Sequence, residues 1–138
     1  MKKYILTFSA AYVITMLAVV AIESLFDLPS GTSMTCLIVG GFSAAASFVK
    51  DRQRVPNETE KKTLVWGCLL TSIIISIIAT LISIVVFPET LAFLKMAMTQ
   101  LPSWVWLIAI AFTLLIHYLI LALSFGWMAK YFLPKTTV

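Results

Sequence analysis

The chain contains one histidine, His117, and it lies inside an apolar run, Trp104–Met128. Ala109 and Thr113 precede it by eight and four residues and Ser124 follows by seven, so all four share one helical face. An ionisable ring within a segment long enough to cross a bilayer suits a proton relay or ligand binding. A packed imidazole hydrogen-bonded to a Ser or Thr hydroxyl satisfies the same position. Haem ligation would require a second axial ligand from another chain. Glu23 is the only acid within an apolar run, two residues before the end of Tyr4–Leu25. A carboxylate there can reach water or headgroups, or it can hold a cation or couple transport with Lys95 as partner.

Small and hydroxyl residues recur at spacings of three and four in every apolar run. They are Thr7, Ala11, Thr15 and Ala18 in the first, Cys36, Gly40 and Ala44 with Gly41 and Ala45 beside them in the second, and Cys68, Ser72, Ser76, Thr80 and Ser83 in the third. Hydrocarbon offers helices no hydrophobic reason to associate, so close backbone approach and interhelical hydrogen bonds must supply it. Gly40, Gly41, Ala44 and Ala45 are read as a packing seam. Thr15, Ser72, Ser76 and Thr113 fall at a depth similar to His117 and are read with it as a polar core or narrow substrate path. Catalytic machinery is absent from the sequence pattern. No Gly-rich phosphate loop, paired His/Cys metal cluster or serine with a base and an acid occurs. A non-enzyme without metal or cofactor is therefore expected.

The elements that must position these residues follow from one polar run, Lys50–Lys62, which carries five of the ten Lys and Arg residues. It cannot lie in hydrocarbon and must be a loop in water between two membrane hairpins. Composition agrees: 61% of the 138 residues are hydrophobic and 12% are charged, about half the charge of a soluble domain. Spans are predicted at 4–25, 31–49, 63–87 and 104–128. The first resembles a signal peptide in its Lys2-Lys3 start but is long enough to remain as a span. Phe26–Gly31 reads as a turn. Asn57 and Glu60 have the spacing of a capping box, which restarts a helix after Val55-Pro56. Leu91, Leu94 and Met98 recur at helical spacing between Pro88 and Pro102, predicting a short interfacial helix over 89–100. The fold class is thus all-α, a polytopic four-transmembrane-helix bundle forming one domain.

Four spans put both termini and the 50–62 loop on one side. Lys2, Lys3, Lys50, Arg52, Arg54, Lys61, Lys62, Lys130 and Lys135 share that side, and only Lys95 is opposite. The positive-inside bias makes that side cytoplasmic. Trp66, Trp127, Tyr4 and Tyr131 are placed at the inner interface, Trp104 and Trp106 at the outer. Lys50, Arg52, Arg54, Lys61 and Lys62 are expected to meet anionic headgroups, and the +4 charge points to lipid rather than nucleic acid. Cys36 and Cys68 differ by about 15 Å in depth, too far for a disulfide.

The stretch Phe48-Val49-Lys50-Asp51-Arg52-Gln53-Arg54-Val55-Pro56, with Glu60-Lys61 and Leu64-Val65-Trp66, resembles a family of small, uncharacterised four-span inner-membrane proteins of Gram-negative bacteria. The resemblance implies location and span number, and no activity or site residue. Small multidrug exporters also have four short spans but carry a carboxylate near the middle of the first, whereas Glu23 is near the outer end. The expected function is a non-catalytic accessory or interaction subunit of the inner membrane, within a homo-oligomer or a larger membrane complex. A small oligomeric transporter using His117 and Glu23 is the alternative, and a membrane enzyme or haem subunit the second alternative.

Overall fold

The computed structural model describes residues 1–26 and 33–133, so the predicted Phe26–Gly31 turn and Lys135 fall almost wholly outside the described residues. Helices run over Lys2–Phe26 (α1), Ser33–Arg52 (α2), Glu58–Val86 (α3), Pro88–Gln100 (α4), Ser103–Leu123 (α5) and Ala129–Phe132 (α6), with a five-residue π-turn, Ser124–Met128, joining the last two. Among the described residues there is no strand. Four helical stretches are long and apolar enough to cross a membrane, the fourth running from Ser103 to Phe132 through the π-turn. The protein is an all-α, multi-pass membrane bundle.

Each boundary has a local cause. Asn57 caps α3, and the Glu60 carboxylate accepts the Asn57 backbone N–H at 3.0 Å, the contact the Asn57–Glu60 spacing predicts. Phe87 leaves helical geometry ahead of Pro88, which occupies the first turn of α4 where a missing N–H does no harm. Leu101 is extended before Pro102, and α5 begins directly after it. Past the end of α2, Gln53 takes φ 51°, the left-handed position usually filled by glycine at a helix C-terminus. Its side chain compensates by donating to the Lys50 carbonyl at 2.9 Å.

The core is concentrated toward one end. Tyr4, Phe8 and Tyr12 of α1 pack with Leu37, Ala44, Ala45 and Phe48 of α2, Leu64, Val65 and Cys68 of α3, and Leu121 and Phe125 of the last helical stretch. These positions lie toward the basic end, where the start of α1, the short α6 and the α2–α3 link are found. Toward the α4 end, Leu17, Ile22, Ile78, Ile82, Val85, Leu107 and Phe112 are exposed and available to lipid.

One sequence expectation is corrected here. The small-residue stripe of the first span does not make the main seam: α1 buries Tyr4, Phe8 and Tyr12, while Thr7, Ala11 and Thr15 lie half-buried at its margin and Ala18 is exposed. The cause is complementarity, because α2 already supplies the holes and two small faces together would leave a void. A Cβ on Gly40 would sit 3.0 Å from the Phe8 ring. Tyr4, in the first turn of α1, is also buried, with its ring centroid 5.0 Å from that of Phe48. Cys36 and Cys68 are both buried and free.

The π-turn, which interrupts the helix expected over 104–128, coincides with a close approach. Gly41 of α2 lets Ser124 lie so near that a Cβ on Gly41 would be 2.8 Å from Ser124 Oγ. Ser124 donates to the Ile120 carbonyl at 2.9 Å. Gly126 similarly leaves room for Lys61, whose Nζ would be 3.0 Å from an added Cβ.

Candidate functional site

Beyond the core, α3 and α5 border a groove of about 620 Å³. Its α3 wall carries Ser72, Ser76 and Thr80, one turn apart, and its α5 wall carries Trp106, Thr113 and His117. Ile73, Ile77, Ile110 and Leu114 supply most of the remaining surface. Leu69 and Ser72, the α3 lining residues nearest the basic end, are buried.

The hydrogen bonds define what the groove offers a ligand. Ser72 Oγ donates to the Leu69 carbonyl, Thr80 Oγ1 to Ser76 and Thr113 Oγ1 to Ala109, each at 2.8 Å. His117 Nδ1 lies 2.7 Å from the Thr113 carbonyl. A carbonyl only accepts, so Nδ1 carries the proton, and in the uncharged ring Nε2 presents a lone pair. The Nε1–H of Trp106 is buried without a partner among the described residues. The chemistry available is hydrogen bonding in an apolar surround: lone pairs on Ser72, Thr80, Thr113 and His117, the Trp106 N–H, and a Ser76 hydroxyl that makes no hydrogen bond among the described residues and can donate or accept.

The structure therefore brings together four of the six residues read as transport or polar-core candidates: Ser72, Ser76, Thr113 and His117. Thr15 is on α1, where it donates to Ala11 at 2.8 Å, and it does not line the groove. Glu23, also on α1, is apart from His117, and its Oε1 is buried without a partner among the described residues. Gly40, Gly41, Ala44 and Ala45 lie in the buried contact of α2 with α1 and the π-turn. Sequence reasoning placed Trp106 at the interface only. The signal for its second role was present, since Trp106 precedes Thr113 by seven residues and His117 by eleven, on the same helical face. Among the described residues no group of three or more His, Cys, Asp or Glu gathers as metal ligands would.

The basic end is a second polar region. Arg54 donates through both terminal nitrogens to Glu60, at 2.7 and 2.8 Å, and its guanidinium carbon lies 5.8 Å from the Phe48 ring centroid. Arg54 is thus engaged within the loop, while Lys50, Arg52 and Lys62 are exposed and Lys61 is half-buried beside Gly126. Lys3 pairs with Asp51 at 2.7 Å, tying the start of α1 to the end of α2.

The Arg54 hydrogen bonds, helped by the Asn57 N–H, lower the Glu60 carboxyl from 4.5 to about 2. A depressed carboxyl stabilises the fold fully above its unfolded value and loses that contribution as pH falls toward the folded one. The unfolding midpoint is therefore expected to be flat from pH 7 to about 5 and to fall below about 4.5. Glu60→Gln should reduce the acid decline; an unchanged decline would assign it elsewhere.

No protein-family model, curated protein or solved structure matches this chain.

Proposed function

We propose that the protein is a non-catalytic accessory protein of the bacterial inner membrane that works by binding within the bilayer plane, at the α3–α5 groove. The observation that carries this reading is the groove itself. It is apolar in its walls, is bordered by two of the four long helices, and gathers Ser72, Ser76, Thr113 and His117 in one place. The clustering of eight cationic residues at the basic end, with only Lys95 of α4 at the other among the described residues, supports cytoplasmic termini. Exposed Lys50, Arg52 and Lys62 suit an anionic leaflet.

Native mass spectrometry after gentle extraction tests the reading. A lipid-like molecule or membrane partner should stay with the wild type and be lost from Ile77→Trp, whose indole fills the groove. Retention in both would place binding elsewhere, and retention in neither would remove the proposed role.

His117 supports a second reading, a small oligomeric transporter, because it is the one ionisable residue lining the groove among the described residues. Proton-linked flux lost in His117→Gln would favour it, and flux unchanged by His117→Gln would oppose it. Glu23 contributes to neither wall of the groove, so Glu23→Gln should leave groove binding intact.

A further inference from the structure

We infer that Lys61, seated on Gly126 of the π-turn, and Lys130 form a defined site for the phosphate of an anionic phospholipid in the inner leaflet. The site rests on the reading that the basic end faces an anionic leaflet, and it does not depend on the groove.

Desolvation singles out Lys61. Among the described residues only two cations, Arg54 and Lys61, are half-buried; the others are exposed. Arg54 has its counter-charge, since both terminal nitrogens donate to Glu60 at 2.7 and 2.8 Å. Asp51 is taken by Lys3. Glu58 is the one other acid at this end among the described residues, and it makes no ion pair with Lys61 three residues along α3. The Lys61 ammonium thus lacks a carboxylate among the described residues while losing part of its water. An ammonium in that position is costly unless an anion from outside the chain meets it.

The fold fixes where that anion would sit. A Cβ on Gly126 would lie 3.0 Å from Lys61 Nζ and 3.5 Å from its Cε, so the end of the side chain rests against bare backbone. A larger residue at 126 would take the seat. Lys130 follows Gly126 by four residues. The π-turn is wider than an α-turn, which lines up the two positions more closely than the α period does. Lys130 therefore stands one turn beyond the seat on the same side of the helix. Two ammoniums on one side can share a phosphate through charge-assisted hydrogen bonds.

Depth selects a lipid over a soluble anion. Lys61 is in the first turn of α3, and Trp66 further along α3 is exposed, as is Trp127 beside Gly126. Exposed indoles belong at the headgroup level. Trp127 and Tyr131 stand edge to face with ring centroids 4.9 Å apart, an apolar step with polar tips that suits the glycerol region of a lipid. A zwitterionic headgroup would bring its own cation toward the two ammoniums, so net negative charge is preferred.

The test uses the full chain in neutral detergent micelles, titrated with dioleoylphosphatidylglycerol or dioleoylphosphatidylcholine, with bound lipid counted by native mass spectrometry. One phosphatidylglycerol should be retained in preference to phosphatidylcholine. Lys61→Gln should weaken its binding about tenfold, the loss expected for a hydrogen bond to a charged group. Lys2→Gln and Lys50→Gln remove the same charge and should change it by less than about twofold, because exposed charges away from the seat are screened. Gly126→Leu keeps every charge and fills the seat, and should weaken binding as much as Lys61→Gln with helicity unchanged. Wild-type affinity in Lys61→Gln, or in a folded Gly126→Leu, would overturn the site. Equal losses from Lys2, Lys50 and Lys61 would overturn it and spare the leaflet reading, whereas no preference for phosphatidylglycerol in the wild type would overturn both. Release of the lipid by excess inorganic phosphate would overturn it in favour of a soluble phosphate, and a Lys61-dependent protein retained in its place would overturn it in favour of an acidic partner.

Discussion

Gly41→Leu is expected to destabilise the bundle by about 3 kcal/mol, at the upper end of what overpacking a close-packed seam costs. The Cβ alone would meet Ser124 Oγ at 2.8 Å and Ser124 Cβ at 3.1 Å, with Leu121 next at 3.6 Å. Oγ cannot rotate away freely, because it is bonded to the Ile120 carbonyl. Three further carbons must therefore displace the π-turn from α2. Reversible unfolding in mixed micelles measures the loss. The mechanism is separable from a general intolerance of α2 to side chains. Gly41→Ala should lose about 1 kcal/mol, and adding Ser124→Gly should recover much of it, giving a clear coupling in a double-mutant cycle. Strict additivity would show that the Gly41–Ser124 approach is not what limits the seam.

Phe8→Ala is the second large effect, at about 2 kcal/mol. In a water-soluble core the same change costs about 3–5 kcal/mol, part of it the lost transfer of the ring out of water. Here hydrocarbon surrounds the unpacked helix too, so that contribution largely vanishes. What remains is the cavity: about 100 Å³ left by the ring, at about 24 cal/mol per Å³. Phe8 is fully buried, seated on Gly40 and 5.7 Å from the Tyr12 ring. A loss near 4 kcal/mol in the same micelle titration would mean that unfolding exposes this region to water. A loss below 1 kcal/mol would mean the α1–α2 seam relaxes to fill the space.

Both substitutions bear on what the amino-acid order makes legible. Helix number and boundaries follow from strong local signals: the 50–62 polar run, Asn57 with Glu60, and Pro88 and Pro102 each closing one helix and opening the next. The small seam of α2 was equally plain. Which face of α1 meets it was not, because a stripe of small residues marks only one partner of a knob-and-hole pair, and the aromatic series Tyr4, Phe8, Tyr12 looks the same facing lipid or protein. The π-turn was hidden for a related reason. Gly126 and Ser124 are ordinary in a membrane helix, and only the nearness of Gly41 and Lys61 gives their positions meaning.

The candidate site was half legible. Four-residue spacing put Ser72 with Ser76 and Thr113 with His117 on common faces, and the fold sets those two faces on either side of one groove. Depth alone also grouped Thr15 with them. Depth says nothing about which neighbour a helix turns toward, and α1 contributes to neither wall.

The central claim is that the chain packs tightly around its basic end and leaves the α3–α5 groove unfilled by its own side chains. A nitroxide at Thr113, an exposed groove position, tests it directly in nanodiscs, with Cys36 and Cys68 replaced by alanine and oxygen relaxation read by electron paramagnetic resonance. The predicted result is a mobile label with high oxygen accessibility, as for a lipid-filled cleft. An immobilised, oxygen-shielded label would show α3 and α5 closed on each other or on another chain, and would contradict the account.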